Sequence, residues 1–283
     1  MIDYVKGLKA SDLEIYKAFS IGYSDYMIKL EISEALFYER FFGPEGNQRE
    51  LTIVAFDHQN PIGLIMGGIR MFNGIKTMRC GALCIAPEYR GQGISQQLME
   101  MHTQMAREAN CQQMMLEVLA GNDRAIKFYE KTGYEKVNEL LYYSLKDPTI
   151  PLNLNHDVQC ITDKNIEDLV GRDHLEPLNW QNDFAYVSTL PDKMHFGNFD
   201  DKGLLRGFLT LDKKGKIYQL WVKPEYRLKG LATAMVAYAQ KRLALEVIHM
   251  SFVSNPETIG FLNAHHFKRL DLYQFEMYKA LTR

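Results

Sequence analysis

Hydrophobic and polar positions change period many times along the chain, and each change marks an element. In the first half, apolar residues at helical spacing predict a helix over 12–19, capped by Ser11 or Asp12, and a second over 31–42. The run Gly43-Pro44-Glu45-Gly46-Asn47 ends the second helix with turn chemistry. Strand patterns follow over 51–56, 61–72 and 75–85, the last two joined by an Asn73-Gly74 hairpin turn. Residues 93–109 return to helical period, with Ile94, Leu98, Met101 and Met105 on one face. A buried strand over 114–119, a short helix over 122–132 stopping at Gly133, and a closing strand over 134–145 complete the half. The segment Lys146-Asp147-Pro148-Thr149-Ile150-Pro151 breaks every period and reads as a linker. The second half repeats the plan with a shorter front end. It has a helix at 163–170, strands at 204–211 and 217–222, and a helix at 231–245. A strand at 248–253, a helix at 258–264 and a closing strand at 267–278 finish it.

The repetition is visible in the residues themselves. Ala86-Pro87-Glu88-Tyr89 leads into Arg90-Gly91-Gln92-Gly93-Ile94-Ser95, and Lys223-Pro224-Glu225-Tyr226 leads into Arg227-Leu228-Lys229-Gly230-Leu231-Ala232. Each copy lies between an apolar strand and an amphipathic helix. Glycine lets backbone approach a ligand closely, and the first N–H groups of a helix have no intrahelical partner, so strand, glycine and helix together cradle an anion. The ligand is expected to carry phosphate. Internal repetition predicts two copies of one domain, 1–147 and 155–283, each α/β (α+β) with a mixed sheet.

Composition narrows the function classes. With 33 Lys and Arg against 35 Asp and Glu, the net charge of -2 argues against a sequence-independent nucleic-acid binder. The N-terminus has no signal-like apolar run, and no stretch has the ~20 apolar residues of a membrane span. A cytoplasmic protein is expected, with no nucleic-acid or membrane partner; a homodimer stays open. Cys80, Cys84, Cys111 and Cys160 form no metal-ligand spacing, so no metal is expected. Cys80 and Cys84 are expected on one strand face as small core residues. His102 is expected at the surface. The aromatic front end, Phe19, Tyr23, Tyr26, Phe37, Tyr38, Phe41 and Phe42, reads first as helix packing and second as a lining for a bound acceptor.

Two motifs carry a resemblance. The first is Arg or Gln, two variable residues, Gly, one variable residue, then Gly or Ala. Copy two fits it fully; copy one has Ser95 at the last place. The second is an Asn-led helix with Asn122, Ala125, Ile126, Phe128, Tyr129, Gly133 and Tyr134. In this order the chain resembles the GCN5-related N-acetyltransferase (GNAT) superfamily over both halves, as a tandem member. The stretch Leu116-Glu117-Val118 with Asn122 and Tyr129 is also similar to the branch that acetylates peptide N-termini. The resemblance implies two GNAT folds, acetyl-coenzyme A as cosubstrate, and transfer of its acetyl group to a primary amine of a small molecule or peptide.

That chemistry makes definite demands. The amine must lose a proton before it attacks, the oxyanion needs donors, and the departing thiolate needs a proton. Pyrophosphate would rest on residues Arg90, Gly91, Gln92, Gly93, Ile94 and Ser95, with Arg90 and the helix dipole offsetting its charge. The pantetheine arm would lie along Leu83-Cys84-Ile85 like an added strand. The resemblance further implies that this strand splays from the next, that Asn122 touches pantetheine beside Phe128, and that Tyr129 donates to the thiolate. A phenol with an ordinary pKa near ~10 holds its proton at neutral pH; the competing reading of Phe128-Tyr129 is an apolar helix face. Glu117 interrupts an apolar strand. It reads either as a general base or as a carboxylate that orients substrate or bonds backbone.

Copy two keeps Leu220 and Val222 at the strand end, the Arg227–Ala232 cradle and Asn255, so it is a candidate second coenzyme site. Aligning Asn255 with Asn122 places Leu262 at Tyr129, Met250 at Glu117 and His266 at Gly133. Catalysis is therefore expected in the first copy. The alternatives are an acyl-coenzyme A binding or sensing protein without turnover, or a transferase of another acyl group.

Overall fold

The computed structural model describes residues 1–150, 156–170 and 178–281. The linker expectation reaches Pro151, and the second-half expectation runs from Asn155 to Arg283. These three residues lie outside the described ones. Two compact units result: one of residues 1–138 together with the stretch from Gln274, the other of residues 139–273.

The first unit contains β1 (Ile2–Lys6), α1 (Asp12–Gly22), α2 (Glu34–Phe41), β2 (Gln48–Asp57), β3 (Asn60–Phe72), β4 (Ile75–Ile85), α3 (Ile94–Glu108), β5 (Gln113–Leu119) and α4 (Asp123–Lys131). The chain then enters β6 (Glu135–Lys146) and crosses into the second unit within it. There follow β7 (Gln159–Ile161), α5 (Asp163–Val170), α6 (Phe184–Val187), β8 (Lys193–Phe199), β9 (Leu205–Asp212), β10 (Lys216–Val222), α7 (Leu231–Leu243), β11 (Val247–Val253) and α8 (Pro256–Ala264). The last strand, β12 (Lys268–Ala280), crosses back.

Each unit is a mixed sheet. In the first the order is β1-β2-β3-β4-β5-β12, antiparallel except for β4 and β5. In the second it is β6-β11-β10-β9-β8-β7, antiparallel except for β10 and β11. The closing strands are exchanged relative to the sequence expectation: β6 pairs with β11, and β12 pairs with β5. Either strand offers the alternation that an open antiparallel edge requires, so periodicity does not say which edge it takes. The sequence pattern also passed over β1, β7, α6 and β8.

Local chemistry sets the helix starts. Ser11 caps α1 in a reciprocal box: its Oγ accepts from Glu14 N–H at 3.3 Å, and Glu14 Oε2 accepts from Ser11 N–H at 2.7 Å. The Ser11 hydroxyl, which donates to Glu14 Oε2 at 2.7 Å, and then the Ser11 N–H hold the Glu14 carboxyl below its usual range. Ser33 caps α2 through Leu36 N–H, which places the start at Glu34 rather than 31. Segment 146–150 is anchored to its own unit. Asp147 N–H donates to Glu246 O at 2.8 Å, and Gln240 of α7 accepts from Ile150 N–H at 3.3 Å and donates to Pro148 O.

The first unit buries a core on each face of its sheet. Ile94, Leu98 and Met99 of α3 pack with Ile53, Ile65, Met78 and Leu116 on one face. Phe19 and Phe37 pack with Val54, Leu64 and Met66 on the other. Gly81 stands unpaired in a bulge between β3 and β4, where Met66 meets Ala82 and Gly67 meets Cys80. An extra residue inverts the side-chain alternation. Cys80 therefore packs into the α3 core while Cys84 packs against α1, on opposite faces, contrary to the shared face expected from their spacing. His102 is a second correction: it is fully buried in α3 beneath Gly67, and burial pulls its pKa down to about 4, so it is neutral. Among the described residues no helix is long and apolar enough to cross a membrane, and no His, Cys, Asp and Glu group could hold a metal.

Candidate active site

Strands β4 and β5 begin side by side, pairing from Thr77 with Gln113 to Cys80 with Leu116. Beyond Cys80 the pairing stops. Residues Ala82 to Ile85 still pair with β3 on their other edge. The edge facing β5 is therefore left with backbone groups that a bound chain could satisfy. The gap opens into a cleft of ≈ 550 Å³, within the range of small-molecule sites.

The floor and rim come from five elements. Leu83, Cys84 and Ile85 line one side; Glu117, Val118, Asn122, Phe128 and Tyr129 line the other. Arg90, Gly91, Gly93, Ile94 and Ser95 close the end at α3. Gln92 follows the same turn; its side chain donates to Glu88 O at 3.3 Å, and it does not line the cleft. Gly22, Tyr23, Asp25, Tyr26 and Met27 form the remaining wall. The front-end aromatics thus divide: Phe19 and Phe37 are core, while Tyr23 and Tyr26 face the cleft.

The cradle has the form its sequence implies. Gly91 has φ 77° and Gly93 has φ 82°, and a Cβ on either would meet only open space. Gly93 caps α3 without a side-chain bond, which leaves the first N–H groups of the helix available. Arg90 is also bonded within the unit. Its Nη1 and Nη2 donate to Asp25 at 2.5 and 2.6 Å, and its Nε donates to Ile85 O at 2.9 Å. The guanidinium ties the α1 end to the β4 end, and the pair holds the Asp25 carboxyl below its usual range. The cations that line the cleft as well are Arg124 and Lys131, both exposed.

Tyr129 is 9% exposed at the cleft wall, and burial raises its pKa well above that of a free phenol, with Cys80, Tyr26 and Cys84 adding to the shift. It stays protonated across the working pH range. Asn122 caps α4, accepting from Ala125 N–H at 3.3 Å, and it also bonds Tyr26. The Cys80 and Cys84 thiols are pushed up to about 12 by burial, so neither is a thiolate nucleophile.

Glu117 is clamped. Arg79 donates to its Oε2 from Nη2 at 2.5 Å and from Nε at 3.2 Å, while Arg79 Nη1 reaches Glu45 Oε2 at 2.9 Å. Opposite Glu117 in register stands Glu276 of β12, 1% exposed, its carboxyl pushed up to about 7 by burial first and by Glu117 second. The sequence reading missed Arg79 and Glu276. Glu276 carries the same signal as Glu117, an acid between apolar strand residues, but it had been counted in the other half.

A model of the acetyltransferase (GNAT) family matches residues 14–134 and 164–267. The chain belongs to this family. N-alpha-acetyltransferase 30 of Schizosaccharomyces pombe is 32% identical over 98 residues, 34% of this chain and 65% of the relative. N-alpha-acetyltransferase 30 of Saccharomyces cerevisiae is 28% identical over 104 residues, 35% and 59% respectively. The chain thus spans somewhat under two thirds of the length of these relatives. Among solved structures, a tandem GNAT protein from the clavulanic acid biosynthesis pathway superposes with TM-score 0.70 at 14% identity, covering 100% of this chain and 99% of that one. A GCN5-related N-acetyltransferase from Sphaerobacter thermophilus gives TM-score 0.67 at 13% identity, covering 99% and 95%. At such identity the likeness shows the tandem GNAT fold alone.

The second GNAT unit has the same backbone and a different interior. Pairing of β10 with β11 stops at Ile217 and Met250. Yet the space beyond is only ≈ 70 Å³, lined by Leu178, Asn179, Asn182, Gln219, Trp221 and Met250 among others. Asn182 Nδ2 donates to Ser251 O at 2.6 Å, and Gln219 Nε2 donates to Asn182 O at 2.8 Å, so these groups wedge the gap. Leu220 and Asn255 line this space, whereas Val222 is core. Arg227 donates to Val222 O at 2.9 Å and to Glu257 Oε2 at 2.6 Å, repeating the Arg90 tie. Gly230 has φ 83° and caps α7, ahead of Leu231 and Ala232, but Leu228 takes the place of Gly91 at φ 57°. Lys229 O bonds His156 Nε2 at 2.8 Å.

Proposed function

We propose that the first unit transfers the acetyl group of acetyl-coenzyme A to a primary amine. The observation that carries this reading is the parting of β4 from β5 beside an α3 N-terminus that no side chain bonds, with the protonated Tyr129 at the inner wall. The residues fit the cosubstrate in chemistry as well as in space. N–H groups at Gly93 to Ser95 would take the pyrophosphate, and the free edge of Leu83, Cys84 and Ile85 would take the amides of the pantetheine arm. Bound acetyl-coenzyme A supplies the activated thioester carbonyl.

The chain's own groups manage protons and position. Tyr129 donates its phenolic proton to the departing sulfur. Glu117 presents its unbonded Oε1 as the acceptor for the amine's proton, while Arg79 holds Oε2 in place. Tyr23, Tyr26 and Met27 cover the acceptor side. The N-alpha-acetyltransferase relatives favour a peptide α-amino group as acceptor. A thialysine N-epsilon-acetyltransferase of Bos taurus, 36% identical over 55 residues and 32% of its own length, adds small amino-acid amines to the acceptors worth testing. The second unit is assigned no turnover. Thiol release from acetyl-coenzyme A, measured with peptides bearing free N-termini and with small amines, tests the reading. No release with any amine, in a protein that binds the coenzyme, overturns it in favour of an acyl-coenzyme A binding protein.

A further inference from the structure

Glu276 and Glu117 are directly opposed on an antiparallel ladder, so their side chains leave the same face of the sheet, with Cβ atoms about 5 Å apart. Both are buried: Glu276 is 1% exposed, and the Glu117 side chain 5%. Their bonds are asymmetric in the same way. Glu117 Oε2 accepts from Arg79, and Glu276 Oε2 accepts from Asn138 Nδ2 at 2.8 Å and from Tyr278 OH at 3.4 Å. On each carboxyl the other oxygen, Oε1, is buried without a hydrogen-bond partner among the described residues.

The charged and titratable groups facing Glu276 are few. β5 contributes Glu117 and β4 contributes Arg79, which also binds Glu45; on its own strand stands Tyr278, kept neutral by a raised pKa. Three carboxyls thus surround one guanidinium. A buried unpaired carboxylate oxygen is costly, and two of them on opposed residues invite a common remedy, because one proton placed between them bonds both.

We infer that Glu117 and Glu276 act as a single base that holds the proton it takes between their two Oε1 atoms. The inference rests on the amine acetylation proposed above for the use of that proton, though not for its location. In the step itself, one N–H bond of the acceptor's ammonium breaks. Its electron pair stays on nitrogen for attack on the thioester, and the proton passes through the cleft to the carboxyl pair, whose charge goes from -2 to -1. Glu117 offers one unbonded oxygen and Glu276 the other, so a proton held between them leaves neither unpaired. The upward shift of Glu276 to about 7 agrees with a pair that titrates near neutrality. A pair of this kind is matched to amine deprotonation at working pH.

The test uses the full chain in three forms: wild type, Glu276→Gln and Glu117→Gln. Infrared titration of the wild type is expected to show a protonated-carboxyl band at pH 6 that disappears through a midpoint near ~7; the band is expected to be absent from Glu276→Gln and to shift to lower pH in Glu117→Gln, where burial still acts on Glu276 but the like charge is gone. In Glu276→Gln the acid limb of kcat/KM is expected to move down by at least ~1 pH unit, because the remaining carboxylate has lost its like-charged neighbour. The rate at the optimum is expected to fall ~10-fold or more with coenzyme affinity unchanged, and Glu276→Asp is expected to restore part of the wild-type profile. A wild-type protein with no carboxyl titrating between pH 6 and 8 overturns the inference, and so does an unmoved acid limb in a folded Glu276→Gln protein. Should that variant fail to fold, the wild-type infrared titration decides. Should no amine be acetylated, the proposed function fails, while the infrared result still reports whether the pair exists.

Discussion

Where β4 parts from β5, the first unit holds a cleft of ≈ 550 Å³; where β10 parts from β11, the second holds ≈ 70 Å³. The backbone event is the same, and so is the strand–turn–helix that follows, down to a capping glycine at φ 82° and 83°. The difference lies in the side chains. Cys84 gives way to Trp221, Tyr129 to Leu262, and Glu117 to Met250, and the residue opposite in register changes from Glu276 to Tyr143. The second unit also keeps Leu228 in a left-handed conformation that glycine occupies freely, at a cost of about 1–2 kcal/mol. The strand–turn–helix backbone persists there, therefore, with Leu262 and Met250 where the first unit has Tyr129 and Glu117.

Tyr129→Phe breaks the comparison most sharply. It keeps the ring and removes the donor, and the chemical step is expected to slow by roughly 10²- to 10⁴-fold with little change in acetyl-coenzyme A affinity. Because burial favours the neutral phenol, the wild-type rate is expected to show no high-pH limb from Tyr129 in the usual phenol range. Leu262→Ala in the second unit is expected to cost ~2 to 5 kcal/mol of stability and leave the chemistry alone. Wild-type turnover in Tyr129→Phe, with chemistry limiting, would make this residue a core aromatic.

A smaller effect is expected at the cradles. Gly93→Val forces a β-branched residue into φ 82° and puts its side chain into the open space before the helix N-terminus, so the acetyl-coenzyme A Kd is expected to rise at least ~10-fold. Titration calorimetry on the wild type is expected to return one equivalent, since Trp221 and the Asn182 wedge fill the second gap. Gly230→Val should then leave turnover within about 2-fold. Two equivalents of equal affinity would remove the distinction between the units.

Stability against pH gives the smallest effect. The folded Glu276 carboxyl binds its proton more tightly than in the unfolded chain, being raised to about 7 from 4.5. Its contribution is full below the unfolded value and is lost as pH rises through the folded one. Thermal melting is expected to fall by a few degrees between about pH 5 and 8, and Glu276→Gln to flatten that slope.

Much of this was legible in the sequence, for local reasons. The cradle, the α4 cap at Asn122 and the Asn73-Gly74 hairpin depend on residues close in the chain, whose conformational needs are written in their types. Side-chain direction was harder to read. One bulged residue at Gly81 sends Cys80 and Cys84 to opposite faces, and four-residue spacing carries no mark of it. The pairing of Arg90 with Asp25 carried no local mark, because the two lie far apart in sequence. Glu276 could not be joined to Glu117, since strand pairing across most of the chain is decided by tertiary packing.

The exchange of β6 and β12 has a consequence for the order in which the protein can be made. Residues 139–273 are contiguous, so the second unit has all its strands once translation passes Tyr273. The first unit begins at Met1 and still lacks the partner of β5 until residues 274–280 emerge. On the ribosome the half that comes first is finished last, with the Met114–Leu119 edge exposed while it waits. A chain cut after residue 147 would lose that strand for good, and Glu276 with it, so the first unit is not a portable cassette.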